Sequence, residues 1–308
     1  MPFTAQKIFT SSQLKLSRSY GTKEYPSILY YFRKTPKSIV CPHFWELRWA
    51  YGCPFDCAYC YLQGTFRGKK EPRYVPLEHV FLALEAAFND SNLEPSIFNS
   101  GELADSLMNP KIMEKIADKF EEQSKHKLLL LTKSDNVDFL VEKLRKQTIA
   151  SFSLNARKVW ELWEHRTPSP DRRIKAAKSL MEVGYNVRVR IDPIFPIENW
   201  QMHYEDLIYS MLSNFSHDPE RITLGTPRGL QKTLMFSKDD SWTKWFTESS
   251  GWGKKIATAT RKEIYVFFLD KLTAYGFDKS KIAICKETEM MWSELGLNKH
   301  YCMCNCVR

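Results

Sequence analysis

The stretch YGCPFDCAYCYLQ, residues 51–63, gathers three of the chain's eight cysteines, Cys53, Cys57 and Cys60, on one short loop. Tyrosines 59 and 61 flank the last of them, and no fourth cysteine is near. Structural zinc calls for four closed ligands, usually as two pairs. Here a single C-x2-C has one extra thiol upstream, and His43 could complete a set only by reaching back along the chain. A cubane [4Fe–4S] cluster held by three thiolates leaves one iron free for a small chelating molecule. C-x3-C-x2-C wraps three corners of such a cube, and Tyr59 then lies beside the cluster and its ligand. On this reading Cys53, Cys57 and Cys60 are metal ligands, and the missing thiolate marks the place of a bound molecule.

With 308 residues the chain can form one large α/β domain, and an apolar fraction of 43% argues for a packed core rather than disorder. No apolar run approaches the roughly 20 residues of a membrane helix. The N-terminus lacks a hydrophobic signal core, so a cytoplasmic protein is expected. In that reducing compartment tightly spaced cysteines read as metal ligands or catalytic thiols. None lies between 61 and 284, which suggests a sulfur site at each end of the chain. The net charge of +9 suits an anionic ligand or nucleic acid, although much of it sits as scattered pairs that a solvated surface explains as well.

Residues 1–43 are polar and irregular and read as an N-terminal extension. From Phe44 short apolar strands alternate with helix-length segments. Strands are expected at 44–52, 96–98, 128–132, 149–155, 186–193 and 221–225, with a further one at 281–285. Helices are expected at 76–90, 110–123, 135–146, 157–164, 170–183, 201–213 and 261–276. Residues 237–260 read as a surface excursion or lid. Six β/α alternations predict a parallel sheet covered by helices, an open or partial barrel over 44–285, with a cysteine-bearing tail at 286–308. Such folds carry their chemistry at the C-terminal strand ends, where the cysteine loop leaves the first strand.

The loop closely resembles the signature of the radical S-adenosylmethionine (radical SAM) superfamily, and CAYCYLQ resembles its spore photoproduct lyase branch. The resemblance implies a partial (β/α)6 TIM-like barrel. It also implies that SAM chelates the open iron and is cleaved by one electron to a 5′-deoxyadenosyl radical, the cofactor supplying the hard chemistry. A reductant of the flavodoxin or ferredoxin class is the partner this chemistry calls for. NSGELADS (99–106) is similar to the superfamily's segment that binds the methionyl ammonium, which nominates Ser100, Gly101 and Glu102. Lys133, Ser153, Asn155 and Arg190 are strand-end candidates for the rest of SAM, with Tyr59 beside it. Tyr61 aligns with a tyrosine that assists hydrogen transfer in the lyases.

The sequence departs from that branch at one point. The lyases carry a cysteine after the second strand that returns hydrogen to product, and here the slot reads Asn99-Ser100. A serine O–H bond is too strong to substitute. The remaining thiols are Cys41, Cys285 and the tail CMCNC, whose alternation can bring Cys302, Cys304 and Cys306 to one centre. The tail thus reads as a second iron–sulfur cluster or as a source of catalytic thiols, with a frayed terminus as the plain alternative. The leading expectation is a radical SAM enzyme acting on a nucleoside or nucleotide, with sulfur insertion or sulfur-for-oxygen exchange as a variant. Thymine-dimer repair on DNA with a tail cysteine as hydrogen donor is the second reading. A non-enzymatic iron–sulfur or zinc nucleic-acid-binding protein is the third.

Overall fold

The computed structural model describes residues 19–301 and 303–308. Its centre is a nine-stranded sheet whose strands lie side by side in chain order. They are β1 (Ser19–Tyr20), β2 (Leu29–Phe32), β3 (Phe44–Leu47), β4 (Ile97–Asn99), β5 (Lys127–Thr132), β6 (Thr148–Ser153), β7 (Asn186–Ile191), β8 (Ile222–Leu224) and β9 (Ile282–Ile284). From β3 to β9 every pairing is parallel; β1 and β2 join antiparallel at the edge. The long helices are α1 (Leu77–Phe88), α2 (Pro110–Glu121), α3 (Pro170–Val183), α4 (Trp200–Asn214) and α5 (Thr258–Ala274). Because parallel crossovers are right-handed, a strictly sequential order puts their helices on one face and curls the sheet into a partial barrel.

Register shows how the strands serve two faces. Phe152, Val189, Ile222 and Ile282 align across four strands as one buried apolar row. The next row, Ser153, Arg190, Thr223 and Ala283, is small or polar and lines the concave side. Strands that look almost continuously apolar therefore alternate, with serine, threonine and arginine turned inward.

A small separate ladder ties the chain entering β3 to the chain leaving β9. Ile39–Val40, just before β3, pairs antiparallel with Glu287–Thr288, just after β9. The tail then enters the concave side. Asn305 is fully buried there, its amide donating to Ser151 Oγ (2.8 Å) and the Val189 carbonyl (2.9 Å). Its backbone N–H donates to Thr223 Oγ1 (3.0 Å), whose hydroxyl donates back to Asn305 Oδ1 (2.8 Å). Arg188 holds the carbonyls of Asn305 (2.7 Å) and Val307 (2.8 Å). The tail thus supplies partners for the inward polar residues Ser151, Arg188 and Thr223.

The further strand expected at 281–285 forms as β9, parallel to β8. Three features differ from the sequence-based expectation. The extension is not irregular throughout, since β1, β2 and Ile39–Val40 are ordered pairing segments. The helix expected over 135–146 is only Asp138–Glu142, because Arg145 turns inward and donates to the Phe139 carbonyl (2.6 Å) and Asp118 (2.9 Å). The lid segment contains a hairpin, Phe246–Ser250 with Gly253–Ile256.

Candidate active site

The cysteine loop is fixed at both ends. Gly52 has φ +90°, and a Cβ there would stand 2.5 Å from the Glu71 carbonyl oxygen, so the entry to the loop requires glycine. The Cys53 N–H donates to the Lys70 carbonyl (2.8 Å), and Lys70 Nζ returns to the Phe55 carbonyl and Asp56 (both 2.8 Å). Asp56–Cys57 pairs antiparallel with Glu164–His165, which sets Cys57 opposite Glu164. Buried Gln63 donates its amide to the carbonyls of Cys57 (3.1 Å) and Ala58 (2.6 Å). These contacts hold the backbone and leave the thiols of Cys53, Cys57 and Cys60 facing one cavity of about 470 Å³ at the C-terminal strand ends.

The cavity's second wall is the segment after β4. Asn99 folds it: its Oδ1 accepts from the Gly101 N–H (2.9 Å) and its Nδ2 donates to Glu102 Oε1 (2.9 Å). A Cβ at Gly101 would lie 2.5 Å from the Leu131 carbonyl oxygen, so this glycine permits the close approach of two strand ends. The Tyr61 hydroxyl donates to the Glu102 carbonyl. Asp105 ties the segment to the end of β5, accepting from Thr132 Oγ1 and the Lys133 N–H (both 2.7 Å).

Lys133 lines the cavity, but its ammonium is 3.0 Å from Glu164, a side chain with no solvent exposure. Arg173 grips the other oxygen at 2.6 Å, and the Tyr59 hydroxyl also donates to Glu164. Burial pushes the Glu164 carboxyl up, but Arg173 and Lys133 outweigh it and hold the pKa down at about 2. The motif reading missed Glu164. Its partners lie 31 and 9 residues away, so no local spacing reveals it.

Of the other candidates, Glu102, Gly101, Ser153, Arg190, Tyr59 and Tyr61 line the same cavity. Ser100 and Asn155 do not. The Ser100 hydroxyl is buried against Ser106 Oγ (2.8 Å) and the Leu129 carbonyl (2.9 Å). Asn155 is buried on the Pro193 carbonyl and Tyr204 (both 2.9 Å). Each is held within a wall by these hydrogen bonds, just beyond the end of its strand. Cys302 lies outside the described residues. Cys304 and Cys306 are buried on the concave side, with Cys306 Sγ 3.0 Å from Arg190 Nη2 and 3.8 Å from Asn99 Nδ2. The tail thiol thus reaches the residue that fills the expected cysteine slot, one side chain behind the cavity wall.

Among the described residues no three His, Cys, Asp or Glu side chains converge on one ion position, in the loop or in the tail. A closed mononuclear site requires that convergence. The loop thiols instead open side by side on a cavity, which fits a polynuclear cluster reached from one side. Cys304 and Cys306 are buried and do not line that cavity, and a second cluster at the C-terminal cysteines has no support among the described residues. Burial pushes the loop thiols up, Cys57 to about 12, so capture of metal must release their protons. A larger surface depression of about 670 Å³ between Lys158, Asn199 and Lys244 contains no thiol.

The family model described as spore photoproduct lyase matches residues 43–224. The spore photoproduct lyase of Clostridium acetobutylicum is 25% identical over 248 residues, 75% of this chain and 73% of that protein. That of Bacillus subtilis is 29% identical over 168 residues, 53% of this chain and 49% of that protein. A solved spore photoproduct lyase complexed with dinucleoside spore photoproduct superposes with a TM-score of 0.66 at 22% identity, covering 78% of this chain and 75% of the other. Streptococcus suis SuiB bound to S-adenosylmethionine gives 0.52 at 18% identity, covering 79% of this chain and 50% of that one.

Proposed function

The chain belongs to the spore photoproduct lyase family of radical SAM enzymes, which work with S-adenosylmethionine and a [4Fe–4S] cluster, and from that premise we propose that it repairs a thymine-dimer lesion of the spore photoproduct type in DNA. The observation that supports this reading is the meeting of three loop thiols with Glu102 on one cavity, within the family-matched stretch. When bound, a cluster and SAM would supply the one-electron chemistry that starts hydrogen removal from the lesion.

The chain's own residues bind, orient and return hydrogen. Cys53, Cys57 and Cys60 would hold the cluster. Glu102, fixed by Asn99 and Tyr61, would accept from the methionyl ammonium. Ser153 and Arg190, which line the same cavity, would bind the rest of SAM. Lys133 neutralises Glu164, which in turn holds Tyr59 beside the loop. Cys306 donates the hydrogen: its S–H bond breaks, a C–H bond forms on the product radical, and a thiyl remains. One electron and one proton from a flavodoxin- or ferredoxin-class reductant restore the thiol. Arg190 stands between Cys306 and the cavity and must swing aside for this step.

The test is anaerobic turnover of a spore-photoproduct dinucleotide with SAM and dithionite. Thymine-type product is expected from the wild type. Cys306→Ala should still cleave SAM while releasing little repaired product. Normal repair by Cys306→Ala would overturn the donor assignment, and absence of repair by the wild type would overturn the substrate. Sulfur insertion on a nucleoside takes second place, since the family match and the relatives favour dimer repair. The non-enzymatic reading falls with the same match.

A further inference from the structure

Five cationic side chains line the cavity: Arg48, Lys133, Arg190, Arg228 and Lys286. Three are already matched to carboxylates. Arg48 pairs with Glu46 at 2.6 Å, Lys133 with Glu164 at 3.0 Å and Arg228 with Asp192 at 2.9 Å. Arg190 leans on Cys306. Lys286 forms no salt bridge among the described residues, and its ammonium lies over two rings, 4.7 Å from the Trp252 centroid and 5.8 Å from that of Phe32.

Its backbone is unusual as well. Lys286 has φ +53°, in the left-handed region that disfavours a non-glycine residue. The surroundings hold it there. Buried Lys255 donates to the Lys286 carbonyl (3.1 Å) and pairs with buried Glu287 (2.9 Å), which also meets Arg261 (3.0 Å). Glu287 belongs to the small ladder with Val40. A buried charged network thus keeps one residue strained, and that residue projects an unmatched cation into the cavity.

The wall beside it is aromatic. Phe32 and Trp252 stack with centroids 6.2 Å apart and planes at 26°, Tyr30 lies alongside, and the buried Trp252 indole N–H has no partner. Aromatic faces take nucleobases by stacking, and an ammonium beside them takes phosphate. Tyr30, Phe32, Trp252 and Lys286 all lie outside residues 43–224, in the part of the chain the family model does not match. We propose that Lys286 anchors a phosphodiester oxygen of the substrate while Phe32 and Trp252 stack on its base. The substrate is then a phosphate-linked pyrimidine dinucleotide within a strand, not a free nucleoside. The assignment rests on the nucleic-acid reading above.

Binding tests it without turnover. The probes are thymidylyl-thymidine and its uncharged methylphosphonate analogue, titrated by calorimetry against cluster-loaded protein in the presence of SAM. Lys286→Met should weaken the dinucleotide by roughly tenfold or more, the scale of one charge-assisted hydrogen bond, and leave the analogue unchanged. Lys286→Arg should restore most of the affinity, which shows that the site still folds. Equal weakening of both probes, or weakening of SAM instead, would overturn the phosphate role. If the wild type binds neither probe, the nucleic-acid reading fails first and takes this assignment with it.

Discussion

The loop of Cys53, Cys57 and Cys60 and the tail of Cys304 and Cys306 are both short and dense in cysteine, and they come within one layer of each other around Asn99 and Arg190. They are built in opposite ways. The loop fixes its backbone through Gly52, Gln63, Lys70 and the Cys57–Glu164 pairing, and leaves its thiols on a cavity. The tail fixes itself through the side chain of Asn305 and its own carbonyls, and its thiols are buried among polar strand residues. On the proposed reading, one arrangement presents sulfur to a cofactor and the other uses the chain end to fill the concave side, with Cys306 held against Arg190. Cysteine spacing by itself does not distinguish these outcomes; the polarity of the surface each segment meets does.

The comparison breaks most visibly on iron. Cys57→Ala should remove the cluster and all SAM cleavage, while Cys304→Ala and Cys306→Ala should each keep about four iron atoms per chain, the content of one cubane. Iron and sulfide analysis with a 5′-deoxyadenosine assay decides the matter. A wild type with about eight irons, falling to four in the tail variants, would restore the second cluster.

Next in size is the support behind the loop. Glu164→Gln leaves Arg173 buried without its counter-charge and should cost about 3–5 kcal/mol in chemical denaturation. The pH dependence gives the sign. The folded Glu164 pKa of about 2 lies below the usual 4.5, so its stabilisation is fully present above about pH 4.5 and is lost as pH falls through 2. The gap between wild type and Glu164→Gln should shrink over that window and stay constant above it. A gap independent of pH between 2 and 5 would show that Glu164 does not hold its charge through that range.

How much of this was legible follows from the range of the contacts. The parallel partial barrel could be read because its apolar rows and capping residues are local: Ser169 and Pro170 open α3, and Gly184 with φ +103° ends it. The cysteine loop could be read because all its ligand candidates lie within a few residues. The sequence offers Lys133 to SAM as a strand-end cation, and its pairing with Glu164 is hidden because the loop's pairing with a distant segment sets it. Ser100 and Asn155 stand next to cavity residues in the sequence, and only their long-range hydrogen bonds show that they are buried within its walls. The docking of the tail depends on Asn305 meeting Ser151 and Thr223, 154 and 82 positions earlier, and no periodicity encodes such a match.

The smallest expected effect tests the tail's half of the comparison. Asn305→Ala removes hydrogen bonds to Ser151, Thr223 and the Val189 carbonyl and leaves those groups buried, a loss of about 1–3 kcal/mol. Denaturant unfolding should report it as a lower midpoint, and iron content should stay at the wild-type level because no loop contact is touched. The same variant should loosen Cys306, so that an alkylating reagent modifies it faster in folded protein. A change in iron with no change in midpoint would mean that the tail supports the cluster directly. No change in either midpoint or Cys306 reactivity would mean that the barrel interior does not depend on the tail, and the contrast between loop thiols that line a cavity and the buried Cys304 and Cys306 would lose its structural basis.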